Sequence, residues 1–261
     1  MQHLEHSKAD TSKPFFEYLL RLGDDRLILG HRMSEWCGYG PQLEEDLAMA
    51  NIALDLIGQA KALLEYAGEV EGEGRSEDDL AYFRDDIDFR NLQLAEQPNG
   101  NFGFTIARQF LFSTFNELLL ERLQDHPDRQ LAGIASKSLK ETRYHVRHSR
   151  DWVLRLGDGT DESNQRIQQA FDDLWMYTAE LFYMDEVDEI LIKDGKVPDL
   201  KELQPEWNER VNQTLKEATL QRPDDDQYMA TGGRVGFHQE ELGYLLMEMQ
   251  FLRRSHPEAE W

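Results

Sequence analysis

The sequence predicts an all-α protein built as an antiparallel bundle of long helices, and three observations carry that prediction. Apolar residues recur at three- to four-residue spacing along almost the whole chain, the mark of a helix with one buried face. No run alternates apolar with polar in the β-branched-rich manner of a strand. Several periodic stretches reach about 25 residues, near 40 Å as helices, with short connections between them, which is how an antiparallel bundle is written.

In chain order, Phe15, Leu19, Leu22, Leu29, Met33 and Trp36 mark a first helix, with Arg26 taking one place in its apolar series. Gly38, Gly40 and Pro41 stop it. Leu43, Leu47, Ala50, Leu54, Ile57 and Leu64 mark a second helix to about Ala67, rich in small residues that suit close helix approach. A Gly/Glu loop, 68–76, leads to a more polar helix over 77–95. Gln97-Pro98-Asn99-Gly100-Asn101 is a turn. Phe104–Leu123 is apolar nearly all round, as expected of the buried centre of a bundle. A long helix follows over 129–156, another over 163–183, and two more near 200–220 and 239–254, joined by an irregular loop through Arg222 to His238. Long irregular loops are often functional, and this one is expected to be a docking element. Residues 15–261 read as a single domain and residues 1–14 as a loosely ordered extension outside it.

Composition excludes several function classes. With 51 Asp and Glu against 28 Lys and Arg the formal charge is −23, so binding to nucleic acid or to an anionic membrane surface is disfavoured. A single cysteine, Cys37, excludes an intrachain disulfide framework or a cysteine-rich zinc site. The most apolar stretch, 48–64, is interrupted by Asp55 and Lys61 and reads as a buried helix, and the first residues lack an apolar leader core. A soluble cytoplasmic protein is expected. Gly72-Glu73-Gly74 lies between helices, the wrong context for a phosphate loop, and no nucleophile elbow is present.

The chemistry that suits a long-helix bundle is a di-iron carboxylate centre, in which two helices each supply Glu-x-x-His and two others one Glu each. The chain can be searched for that pattern. The residues three before its histidines are His3, Ile28, Leu123, Thr142, His145, Val235 and Arg253, and none is a carboxylate. The nearest approach is Glu141 with His145, one residue too far apart, for which an intrahelical ion pair or hydrogen bond is the plain expectation. Glu117 and Glu121 lie one turn apart on the most apolar helix and need relief from water, a cation on another helix, a shared proton or a metal. Asp55 in the Ala-rich helix needs a partner from a neighbouring helix.

A set of motifs then becomes recognisable: Leu20-Arg21-Leu22-Gly23-Asp24, Glu35-Trp36-Cys37-Gly38, Ala50-Asn51-Ile52-Ala53-Leu54-Asp55-Leu56-Ile57-Gly58-Gln59-Ala60, Glu96-Gln97-Pro98-Asn99-Gly100-Asn101-Phe102, Lys140-Glu141 with Arg143-Tyr144-His145, and Thr231-Gly232-Gly233 with Gly236, His238 and Glu240. In this order, from Tyr18 to Trp261, the chain resembles the C subunits of phenylacetyl-CoA epoxidases, multicomponent monooxygenases of aerobic phenylacetate degradation. The resemblance implies a ferritin-like fold and a structural, non-catalytic role beside a catalytic A subunit that carries the di-iron centre. It also implies a small B subunit and a reductase with flavin and an iron–sulfur cluster, and a hetero-oligomer, either a heterodimer or a dimer of heterodimers.

Where a catalytic relative is expected to carry acid-x-x-His, the second helix reads Asp55 to Gln59, and Tyr144 stands where the later helix needs histidine. Lacking both imidazoles, Asp55, Glu117, Glu141 and His145 are expected to form a metal-free polar network that keeps the bundle rigid, with no cofactor in this chain. The alternative is a self-contained ferritin-like dimetal oxidase with an atypical carboxylate-rich site. A third reading is a helical adaptor or storage protein unconnected with oxygen chemistry.

Overall fold

The computed structural model describes residues 11–259, and among them are ten α-helices and no β-strand. Four long helices form the core: α1 (Ser12–Ser34), α2 (Leu43–Glu71), α5 (Phe102–Leu123) and α6 (Arg129–Gly157). Around them lie α3 (Glu77–Tyr82), α4 (Gln93–Glu96), α7 (Asp161–Leu174), α8 (Glu186–Lys193), α9 (Gln204–Glu217) and α10 (Glu240–Ser255). Helices α1 and α2 pack as one antiparallel hairpin, α5 and α6 as another, and α7 and α9 cover the outside of the second hairpin. This is the ferritin-like all-α bundle.

Local chemistry sets the helix ends. Three acidic residues open α2 beside its positive dipole end, and Gly72 in the left-handed region closes it. The Asn101 side chain accepts from the Phe104 amide to start α5, and Asp128 accepts from the Gln130 and Leu131 amides to start α6. Every residue from Thr105 to Asn116 is buried, so α5 is the bundle's central rod, as its uniformly apolar sequence predicts. Phe110 and Phe115 meet Phe171 and Phe182 edge to face, and Trp207 of α9 donates through Nε1 to the Leu111 carbonyl at 3.1 Å.

Two predicted helices are shorter than their periodicity suggests. The 77–95 stretch breaks into α3, a 3₁₀ turn at Asp86–Asp88, and α4. Its backbone donors go to distant carboxylates instead of the helix ladder: the Arg90 amide to Asp24, the Leu92 amide to Asp25 and the Gln93 amide to Glu180, at 2.9, 2.8 and 2.7 Å. The 163–183 stretch begins as α7 but tightens into 3₁₀ turns at Trp175–Tyr177 and Ala179–Phe182, where the Met176 carbonyl accepts from the Ala230 amide. Of the predicted 1–14 extension, residues 1–10 lie outside those described, and Ser12, Lys13 and Pro14 form the first turn of α1.

Candidate functional site

The polar centre of the bundle is built around Arg26 of α1, which is only 1% exposed. Its Nη1 donates to the Leu22 carbonyl one turn back at 2.7 Å, its Nε to Gln59 Oε1 of α2 at 3.3 Å, and its Nη2 to Asn116 Oδ1 of α5. Asn116 Nδ2 donates onward to Thr142 Oγ1 of α6 at 3.2 Å, and Gln59 Nε2 to Glu141 Oε2 of the same helix at 2.9 Å. Glu141 and Thr142 are neighbours in sequence, so the bonds close a ring through all four core helices.

Burial pushes the Arg26 guanidinium down to about 10, against the pull of Asp25 and Tyr18, and it remains a cation at neutral pH. It is held by carbonyl oxygens alone, one from the backbone and two from side-chain amides. Asp55 and His145 lie beside this ring, with His145 Nε2 at 3.0 Å from Asp55 Oδ2. Further along the same two helices, Glu45 of α2 accepts from Trp152 Nε1 at 2.8 Å and meets His148 Nε2 at 2.7 Å.

Three of the four expected residues, Asp55, Glu141 and His145, therefore fall at the α2–α6 contact. Their pairing differs from expectation: Glu141 bonds across to Gln59 and His145 across to Asp55, because each finds a closer partner on α2 than one turn away on its own helix. Glu117 lies apart from them. It points away from the centre, towards α9, where Arg210 Nη1 donates to it at 2.8 Å, and Arg143 stands between Glu117 and Glu121 at 3.7 and 3.4 Å. The relief that these two glutamates require thus comes from cations on two other helices. Burial and the neighbouring Glu121 still hold the Glu117 carboxyl above its ordinary range. The inward-facing residue of α5 at this level is Asn116.

Arg26 and Asn116 are the members that motif reasoning did not single out. The signal for Arg26 was in plain view, since a charged residue in a buried apolar stripe demands partners. Asn116 offered none, lying one position from the more conspicuous Glu117.

This donor set does not suit a pair of metal ions. Two carboxamides and a hydroxyl replace anionic ligands, and a fixed guanidinium charge lies among them. Among the described residues no three His, Cys, Asp or Glu side chains converge in a way that could hold a metal.

A second buried polar system surrounds the side of α1. Asp24 is paired with Arg84 and Asp25 with Arg234, the latter at 2.9 Å, while Arg21 bridges Asp185, which caps the start of α8, and Asp188 within it. Burial drives the Asp25 carboxyl upward, and the Arg234 guanidinium opposes it. Glu180 accepts from the amides of Gln93, Gly232 and Gly233, and Glu96 accepts from Asn91, His238 and the Gln239 amide. Within the loop expected to dock a partner, the stretch from Gly232 to Gln239 is clasped against the bundle, while Tyr228, Val235 and Phe237 remain exposed. Its Gly233 and Gly236 are required by close approach, since a side chain there would overlap the carbonyl oxygens of Asn91 and Ile87.

A known protein is similar over nearly the same length. The chain is 51% identical over 244 residues to the C subunit of the 1,2-phenylacetyl-CoA epoxidase of Escherichia coli (strain K12), covering 94% of this chain and 98% of that one. The family model described as phenylacetic acid catabolic protein matches residues 1–261. With its whole length matched in this way, the chain belongs to the phenylacetic acid catabolic protein family.

Proposed function

We propose that this chain is the non-catalytic structural subunit of a multicomponent phenylacetyl-CoA epoxidase, acting in the cytoplasm beside a catalytic subunit that carries the di-iron centre. The observation that carries this reading is the closed ring of hydrogen bonds about Arg26. A protonated guanidinium in the middle of the bundle supplies the positive charge, and the ring around it ties α1, α2, α5 and α6 at fixed spacing. A body held this way gives a partner a rigid surface to fold against, and leaves oxygen activation, flavin and iron–sulfur chemistry to other chains. The small B subunit is the further expected partner.

The test is to purify this chain alone and together with the catalytic subunit, and to measure iron and manganese in each sample and epoxidation of phenylacetyl-CoA with the reductase. The expected result is metal and turnover only when the catalytic subunit is present. Two metal ions per chain and turnover by this chain with reductase alone would establish the dimetal-oxidase alternative instead.

A further inference from the structure

Between α9 and α10 the chain crosses the side of the bundle as residues 230–239, with one 3₁₀ turn at Gly233–Val235 as its regular structure. Fasteners hold this segment along its length. At its start the Ala230 amide donates to the Met176 carbonyl, and the Gly232 and Gly233 amides share Glu180 Oε1, each at 2.8 Å. In its middle Arg234 pairs with Asp25 at 2.9 Å and also donates to the carbonyls of Arg21 and Arg90. At its end the Gln239 amide meets Glu96 Oε1 and His238 meets Glu96 Oε2, both at 2.8 Å. These acceptors lie more than fifty residues away in sequence, so the segment can open locally without unfolding the helices it crosses.

His238 is the fastener whose bonding changes with a single proton near neutral pH. Its side chain is 4% exposed, and both ring nitrogens face acceptors: Nδ1 the Glu96 carboxylate and Nε2 the Phe89 carbonyl at 3.0 Å. Only the imidazolium has two N–H groups to give them. A neutral ring would set one nitrogen lone pair against an oxygen lone pair in a buried place. Glu96 cannot turn to relieve this, because Asn91 Nδ2 and the Gln239 amide also donate to it, both at 2.8 Å. The other charged groups on the elements packed about the imidazole are Glu180, Arg234, Arg32 of α1, which donates to the Glu96 carbonyl, and Glu240 and Glu241 in the first turn of α10. Carboxylates outnumber guanidinium groups among them.

We infer that residues 230–239 form a latch closed by a proton on His238. With the imidazolium in place the segment is fastened to α1 and to the 89–96 backbone. Loss of that proton on the alkaline side opens it while the four core helices stay folded. Linkage fixes the direction. The partners of His238 raise its pKa in the closed form above the value of about 6.5 that it has when released. The closed form is therefore fully stabilised below about 6.5 and loses that stabilisation as pH rises to the closed-form value. With one proton involved, opening grows at most about tenfold per pH unit inside that interval and is level outside it. The latch belongs to this chain alone, so it holds or fails independently of the proposed function.

The experiment is amide hydrogen exchange on the full chain between pH 6 and pH 9, read as protection factors so that the intrinsic base catalysis of exchange is removed. The amides of Gly232, Gly233 and Gln239 are compared with those of residues 105–116 in α5. The latch amides should lose protection by up to about tenfold per pH unit across one interval above pH 6.5, and the α5 amides should show no such step. His238→Gln cannot carry the charge, so it should remove the step and leave the latch at pH 6 as open as the wild type is at pH 9. Nitrogen NMR of the wild type should show both ring nitrogens of His238 protonated at pH 6.5, a readout that stands even if the variant fails to fold. A neutral ring at that pH, latch amides that follow α5 throughout, or a step that survives His238→Gln would each overturn the inference.

Discussion

Asp24, Asp25 and Arg26 follow one another on α1 and all three are buried, but they serve two different regions. At about 100° per residue they point in three directions. Asp24 and Asp25 face the side of the bundle, where each meets a full guanidinium charge and also accepts a backbone amide from the 90–92 segment. Arg26 faces the centre, where its charge is held by neutral oxygens. The difference follows from what each region must hold. Irregular backbone at the side has buried N–H groups that no helix ladder satisfies, so carboxylates are needed to accept them. In the centre the helices already satisfy their own backbones, and only the spacing between helices remains to be specified.

The most disruptive way to probe this contrast is Arg234→Met. It leaves Asp25 buried without its counter-charge, and breaking such a pair costs about 3–5 kcal/mol. Urea denaturation should show that loss, and hydrogen exchange should show the Gly232–His238 segment released.

Arg26→Met should cost less, roughly 2 kcal/mol, because the groups left behind are amides that can pair with one another or with water. Equal losses from the two variants would break the comparison between a charged side and a neutral centre. Metal analysis of the Arg26→Met chain should still find no stoichiometric metal, since the carboxamide ligands are unchanged.

His238 sharpens the comparison through pH. Burial opposes its charge, but the Glu96 carboxylate at 2.8 Å and the Phe89 carbonyl outweigh that and raise its pKa. A raised folded value means that the stabilisation is complete below the unfolded histidine pKa of about 6.5 and is lost as pH rises through the folded value. His238→Gln should lower stability by about 1–2 kcal/mol at pH 6 and by less at pH 9, flattening the alkaline limb of the stability profile. An unchanged profile would show that this imidazole is not charged in the native state.

Smaller effects belong to the Arg210–Glu117 pair, beginning with Arg210→Ala. Its guanidinium is about a third exposed, so solvent screening limits the loss to about 0.5–1 kcal/mol. The Glu117 carboxyl, already raised, should titrate higher still when followed by NMR. Glu117→Gln should be close to neutral, which separates this peripheral group from Glu141 and Gln59.

The resemblance and the helical period carried most of the architecture, and the particular residues show where they stopped. The place of α5 was legible because a helix apolar on every side has nowhere to go but the middle. The absence of Glu-x-x-His was legible because ligand spacing along one helix is a local property. The choice of Asn116 over Glu117 was not, because two adjacent positions on a helix face different neighbours and only the packing decides which one looks inward. The 77–95 segment misled for a related reason. Its own propensity favours a helix, but acceptors more than sixty residues away in sequence compete for its backbone amides.

Periodicity, composition and motif spacing by themselves determined the helical class, the central rod and the missing imidazoles, since each is written within a turn or two of chain. Which side chain answers Arg26 and which carboxylates clasp the 222–238 loop were decided only by the tertiary structure. Those outcomes depend on contacts between residues far apart in the sequence, and buried charge takes whatever partner the packed helices bring within hydrogen-bonding distance.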